Sequence, residues 1–292
     1  MRNRFSIFFL SFIVLSVCAQ KKDFLVKIKT NYGEMVAILY DETPNHKENF
    51  IKLAQGHYYD STLFHRVMAG FMIQGGDPSS KRAKAGEHLG NGGPGYTIPP
   101  EFNPKFFHKK GALAAARLND DQNPTKASSG SQFYIVQGKT LLPEEVNSLK
   151  IDQAKLNQGL QQFLSKVENK PIGDSLRQLY RAGDINAFNN KVFSLAPRVE
   201  KATGIKVTTD VTPEKIKAYT TIGGTPFLDN GYTVFGEVIK GIEVVDKIAA
   251  LKTAPGDRPI EDVRMFVTVE EMSRKKITKE YGYVFPEEPV KP

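Results

Sequence analysis

The chain has 292 residues, enough for one large domain or two of ordinary size, with 40% hydrophobic and 25% charged residues, the balance of a globular protein. Its formal charge of +8 is spread along the sequence. There is no concentrated basic patch with interleaved aromatics, which argues against a nucleic-acid partner.

The first twenty residues, "MRNRFSIFFLSFIVLSVCAQ", start basic at Arg2 and Arg4 and continue as an apolar run from Phe5 to Val17. That run is short for a membrane span and has the layout of a secretory signal. The small-residue rule at Val17-Cys18-Ala19 favours cleavage before Gln20, with 1–19 as the signal peptide. "LSVC" is also similar to a bacterial lipobox, in which Cys18 would be lipidated, although Val17 stands where Gly, Ala or Ser is usual. The expectation is an exported, periplasmic protein, with anchoring through Cys18 as the alternative and the only route to a membrane. Cys18 is the sole cysteine, so no intramolecular disulfide can form and the fold must rest on its core.

From Phe24, "FLVKIKT" and "EMVAILY" alternate apolar and polar residues around "NYG", the pattern of a hairpin. In "TPNHKENFIKLAQG", Thr43 reads as an N-cap, Pro44 as the first helical residue and Gly56 as the stop. Strands follow in "STLFHRV" and "GFMIQGG". The glycine-rich loop "GEHLGNGGPGYTIPPEF" leads to two more, "KGALAAAR" and "GSQFYIV". From Leu141 to Ala218 the apolar spacing becomes helical and predicts four pieces. The first runs to Val167 and the second from Ile172 to Tyr180. The third is capped by Asp184 and runs to Val199, and the fourth starts at Thr212-Pro213. Their apolar faces fit a self-packed helical unit or an exposed partner-binding groove. "PFLDNGYTVFGEVIKG" returns to strand, "IEVVDKIAAL" is an amphipathic helix, and "EDVRMFVTVEEM" is the last strand. Ser273 to Pro292 is charged and proline-bearing, and is expected to lie loosely on the surface.

The segment "FHRVMAGFMIQGGD", Phe64 to Asp77, sets Arg66 and Gln74 in an apolar run. A buried guanidinium is costly unless it is paired or used. Gly75 and Gly76 predict a tight backbone turn, and Asp77 a partner for loop amides. "GNGGPG" lacks the lysine of a phosphate-binding loop and no parallel βαβ pattern surrounds it. The five histidines, His46, His57, His65, His88 and His108, show no metal-ligand spacing.

Taken together, "FHRVMAGFMIQGGD", "GALAAAR", "GSQFYIV" and "PFLDNGYTVFGEV" resemble the cyclophilin family of peptidyl-prolyl isomerases, in the family's order. The resemblance covers residues 24–138 and 224–272 and leaves 139–223 as a helical insert and 273–292 as a tail. It implies a mainly β fold, an eight-stranded antiparallel barrel with two capping helices, plus the α-helical insert. It places Arg66 at the catalytic arginine, with His65 beside it. Phe71, Met72 and Gln74 match the proline pocket and its rim, and Ala116 a position whose backbone binds the substrate chain. Arg117 replaces a usual asparagine. Gln132 and Tyr134 match site residues, with tyrosine in place of a pocket phenylalanine. Leu228 matches a pocket leucine, Phe227 replaces a tryptophan, and Tyr232 stands where eukaryotic members carry histidine.

The implied activity is rotation of X–Pro bonds in polypeptides during folding of exported proteins, without metal or cofactor. The alternative is a catalytically weak module of the same fold that holds proline-containing segments. A third reading makes the insert the working surface, and in any of them the insert is a candidate client contact.

Overall fold

A computed structural model describes residues 21–286. The expected signal peptide with Cys18, and the end of the tail from residue 287, lie outside the described residues. In chain order the elements are β1 (Lys22–Thr30), β2 (Gly33–Leu39), α1 (Pro44–Gln55), β3 (Thr62–Met68), β4 (Met72–Gly75), β5 (Thr97–Ile98), β6 (Ala112–Ala115), β7 (Ser128–Ser129) and β8 (Phe133–Val136). A helical stretch follows: α2 (Gln153–Leu164), α3 (Lys170–Arg181), α4 (Ile185–Ser194), α5 (Ala196–Thr203) and α6 (Pro213–Thr221). The chain ends with β9 (Val234–Lys240), α7 (Ile242–Ala249), β10 (Arg264–Ser273) and α8 (Arg274–Tyr281).

Eight strands close into an antiparallel barrel in the order β1-β10-β3-β4-β8-β6-β9-β2, while β5 and β7 pair as a separate ribbon. The period-2 pattern decides which side chains enter the barrel. Val26, Ile28, Met35, Ala37, Ile73, Leu113, Phe133 and Ile135 share one interior cluster. Phe50 and Leu53 of α1 and Val244, Val245 and Ile248 of α7 join it, so the two helices cap the barrel. Each such side chain contributes about 1.5–3 kcal/mol when fully buried. Their neighbours Leu25, Val36, Ile38, Met72, Ala114 and Tyr134 point the other way and form a second apolar cluster on the outer face.

The hairpin at "NYG" forms as expected, with Thr30 paired to Gly33. The start of α1 differs from the expected cap. Thr43 makes no side-chain cap, and its hydroxyl donates to the Tyr40 carbonyl at 3.3 Å. The carboxylate of Glu101 instead accepts from the N–H groups of Asn45 and His46, both at 3.0 Å. A distant anion at the helix N-terminus does the work of a local cap.

Between β8 and β9 the helices are self-packed: Leu156, Phe163, Leu176, Val192, Val199 and Val207 form a third cluster of their own. Two predicted pieces are subdivided. The first opens with a 3₁₀ segment, Pro143–Lys150, before α2. The third breaks between α4 and α5, where Pro197 lacks the N–H that would continue the helix.

The tail departs further from expectation. Ser273 caps α8 by accepting from the Lys276 N–H, and Gly282 ends it at φ 72°. Ile277 is fully buried in the outer cluster, with Tyr283 and Phe285 packed beside it. Among the described residues no helix is long and apolar enough to cross a membrane.

Candidate active site

Arg66 owes its orientation to a bulge. Phe64 and Val67 both belong to the barrel interior, yet they are three residues apart, and strict alternation would put them on opposite faces. The pairing of β3 with β4 shifts register between Phe64 and Arg66, with His65 as the extra residue. Such a bulge re-aims the side chains that follow it. Arg66 is thereby set opposite Gln74 and beside the outer cluster, where Met68 also packs. Its Nε donates to Asp257 at 3.3 Å and one Nη to the Met68 sulfur at 3.0 Å. Asp257 has φ 64°, and its carbonyl accepts from the Val67 N–H at 2.8 Å, which ties its loop to β3.

His65 does not share that surface. It is buried beneath Gly90, with both ring nitrogens lacking a hydrogen-bond partner. Burial pushes its imidazole down to about 4, against the opposing pull of Asp77. The substrate contact expected of it is replaced by support of the loop.

That loop is the "GNGGPG" segment. Its Gly90 and Gly92 amides donate to the Asp77 carboxylate at 2.6 and 3.2 Å, and Ser79 N–H adds a third bond at 2.8 Å. Asp77 satisfies loop amides as expected. Burial works against its charge, but these bonds outweigh it and hold the carboxyl below its usual range.

An apolar wall adjoins Arg66. Met72, Tyr134 and Leu228 are buried in the outer cluster, with Phe71 and Tyr232 packed against it. Phe71 meets the exposed ring of Phe227, centroids 5.5 Å apart. Tyr232 lies edge-on to Tyr134 at 6.1 Å. Arg117 covers its other side, the guanidinium 4.3 Å from the ring centroid, and donates to the Gly231 carbonyl at 2.7 Å. The residue that departs from the family pattern thus braces the 229–232 loop.

The hydroxyl that distinguishes Tyr134 from phenylalanine meets His108 Nε2 at 2.9 Å. His108 Nδ1 meets Asp229 at 3.0 Å. A carboxylate can only accept, so Nδ1 carries the proton, Nε2 accepts, and Tyr134 donates. At Ala116 the backbone is already partly engaged. Its N–H already donates to the Gln132 carbonyl at 3.0 Å, and its carbonyl accepts from Ser129 at 2.8 Å. Only the second lone pair of that carbonyl is left for a substrate chain.

Asp257, His108 and Asp229 are the site residues that sequence reasoning did not find. Asp229 had one signal, an acid inside the apolar block "PFLDNGYTVFGEV".

The family model described as cyclophilin type peptidyl-prolyl cis-trans isomerase/CLD matches residues 25–163 and 208–269. A Staphylococcus haemolyticus protein named as a peptidyl-prolyl cis-trans isomerase is 31% identical over 246 residues, 84% of this chain and 89% of its own length. A Streptococcus pyogenes protein named as a bifunctional phosphatase/peptidyl-prolyl cis-trans isomerase is 31% identical over 245 residues. The match covers 82% of this chain but only 37% of that relative. A solved Cryptosporidium parvum isomerase of the cyclophilin type aligns over 86% of this chain and 98% of its own at 19% identity, with a TM-score of 0.49. The chain belongs to the cyclophilin-type peptidyl-prolyl cis–trans isomerase family. Its enzyme class is that of a peptidyl-prolyl isomerase, on an eight-stranded antiparallel barrel.

Proposed function

We propose that this isomerase rotates X–Pro bonds by presenting the Arg66 guanidinium to the prolyl nitrogen, in the service of exported proteins. The observation that supports this most is the bulge that sets Arg66 beside the apolar wall of Phe71, Met72, Tyr134 and Leu228.

Amide resonance opposes rotation by about 18–20 kcal/mol. In the twisted state the prolyl nitrogen regains a lone pair, which a guanidinium can then donate to. The bond is absent in the planar ground state, so it lowers the barrier instead of merely tightening binding. A charge-assisted hydrogen bond contributes about 1.5–3 kcal/mol, while a thousandfold acceleration needs about 4 kcal/mol. The wall supplies the remainder by holding the pyrrolidine ring and excluding water. Gln74 holds the guanidinium through its amide oxygen or donates its amide N–H to the rotating carbonyl. No proton moves and no covalent bond changes.

Export rests on the basic–apolar leader over 1–19, with lipidation at Cys18 as the anchored variant of the same reading. The intact mass of the exported protein separates the two. Exposed Val167, Tyr180 and Ile185 on the helical insert support an added contact for unfolded clients.

The test of the chemistry is cis–trans exchange of an Ala-Pro peptide by NMR, with the full protein and with Arg66→Ala. Acceleration that the substitution removes is the expected result. Peptide binding without faster exchange would make the protein a binding module, and the mechanism would fall.

A further inference from the structure

α6 carries Lys215 and Tyr219, spaced i and i+4 and so on one helical face. Thr212 sets that face by accepting from the Lys215 N–H at 3.3 Å, with Pro213 at the first helical position. Both side chains reach out of the helical insert to a single carboxylate on the barrel side, Asp229. The Tyr219 hydroxyl donates to its two oxygens at 2.9 and 2.8 Å, and Lys215 Nζ lies 2.6 Å from Oδ2. From the other side Oδ1 accepts from the His108 N–H and from Nδ1, both at 3.0 Å. His108 Nε2 then receives the Tyr134 hydroxyl at 2.9 Å.

We propose that the helical insert positions the proline pocket through Asp229, with Tyr219 and Lys215 as positioning residues that fix the hydroxyl and ring of Tyr134. The proposal deepens the isomerase reading of this site and rests on it.

The polarity of the chain is set throughout. Asp229 accepts four donors, two of them from α6, and can donate to none. His108 is therefore held in one tautomer, and Tyr134 must point its hydrogen at Nε2, away from the substrate. The pocket then presents the Tyr134 ring and keeps that hydroxyl occupied. If Asp229 moves, His108 loses its orienting partner and the Tyr134 hydroxyl is free to turn toward substrate or water. A pocket that should be dry gains a polar group.

The electrostatics agree with that geometry. Burial opposes the Asp229 charge, but the His108 bond and the Lys215 ammonium hold its carboxyl below the usual range. Burial lowers the His108 imidazole, against the raising effect of Asp229, which favours the neutral ring that the chain requires. Tyr219 is fully buried, its ring lies 5.4 Å from that of Phe107, and removal of its hydroxyl alone leaves that packing in place.

The test is a double-mutant cycle on the full protein with Tyr219→Phe, Tyr134→Phe and the pair, read by Ala-Pro exchange kinetics and by the imidazole nitrogen resonances of His108. Tyr219→Phe is expected to lower kcat/KM roughly three- to tenfold, chiefly through KM, the range that loss of one charge-linked hydrogen bond reaches after partial transmission. It is also expected to shift the His108 resonances. In the Tyr134→Phe background the kinetic effect should vanish, because the link to the pocket is already gone. A purely structural Tyr219 would give the same kinetic loss in both backgrounds, or lower stability with unmoved His108 resonances and unchanged kinetics, and either result overturns the proposal. If Tyr219→Phe does not fold, Lys215→Met carries the same readouts, with Lys215→Arg as the restoring variant. If the unmutated protein does not accelerate exchange, the isomerase reading fails on its own. The His108 resonances and Ala-Pro binding then decide the coupling, and their insensitivity to Tyr219→Phe overturns it.

Discussion

Gln132 receives a hydrogen bond from Gln74, amide to amide at 3.1 Å, while its own Nε2 donates to the carbonyls of Gly90 and Gly92, each at 2.8 Å. Gln74 stands opposite Arg66 across β3 and β4, so the glycine loop is connected to the rim of the site through one side chain. Gln132 is buried, and the two glycine carbonyls face its donor end. Gln132→Glu would place a carboxylate against those carbonyls and leave them without a donor. The expected loss is about 2–3 kcal/mol in urea unfolding, while Gln74 keeps an acceptor in the new carboxylate. Unchanged stability would mean that the glutamine is not the loop's support.

The Arg66–Asp257 pair calls for the opposite balance. Both side chains are about 40% exposed, so their mutual attraction contributes little to stability. Asp257→Gly, which accommodates the φ of 64° at this position, is expected to leave unfolding free energy within about 1 kcal/mol. It should still lower kcat/KM severalfold, because the guanidinium loses the acceptor that orients its Nε edge. Exchange kinetics beside a urea titration check this. A change in stability without a change in rate would assign Asp257 to the loop alone.

Those two cases show what the sequence made legible. Barrel strands and capping helices lie in contiguous blocks whose apolar periodicity is local, so they could be read directly, and the wall residues followed from the family resemblance of those blocks. The aim of Arg66 could not, because one bulged residue reverses the face of everything after it. Asp257 lies 191 positions from Arg66, and nothing local marks it as a partner. Tyr219 reads as part of an amphipathic helix, and its bond to Asp229 exists only once the insert has packed. The tail helix was masked by its charge. Ser273 as cap, Gly282 as stop and one buried residue, Ile277, were too sparse an apolar pattern to register.

His65 makes stability depend on pH in a defined window. Its folded value of about 4 lies below the ordinary value of 6.5. The fold therefore prefers the neutral ring, and the preference is complete above 6.5 and lost as pH falls toward 4. The shift corresponds to about 3 kcal/mol in full and about 2 kcal/mol between pH 7.5 and pH 5. Burial lowers the His46 and His108 rings as well, each against a neighbouring carboxylate, so they act in the same direction. Asp77, Glu101 and Asp229, held below their usual ranges, lose their contributions only at lower pH, as they protonate. Urea titrations at pH 7.5 and pH 5 should show the decrease, and His65→Gln should flatten it. An equal slope in that variant would assign the effect to His46 and His108.

Two glycines at the insert separate space from backbone conformation. Gly224 lies where the insert returns to the barrel, paired with Lys139 on one side and Lys109 on the other. A Cβ there would come within 2.3 Å of the His108 carbonyl and 2.5 Å of the Tyr219 ring. Both obstacles are buried, and both belong to the link between insert and pocket. Gly183 has φ 74° but open space around it. Gly183→Ala is thus expected to lose only the left-handed penalty, about 1–2 kcal/mol, with kinetics intact. Gly224→Ala must move His108 or Tyr219, and should lose about 3 kcal/mol or more together with kcat/KM. Thermal unfolding and peptide exchange on both variants measure the contrast. Equal losses would show that the insert's return is held by chain conformation and not by the close packing of Gly224 between His108 and Tyr219.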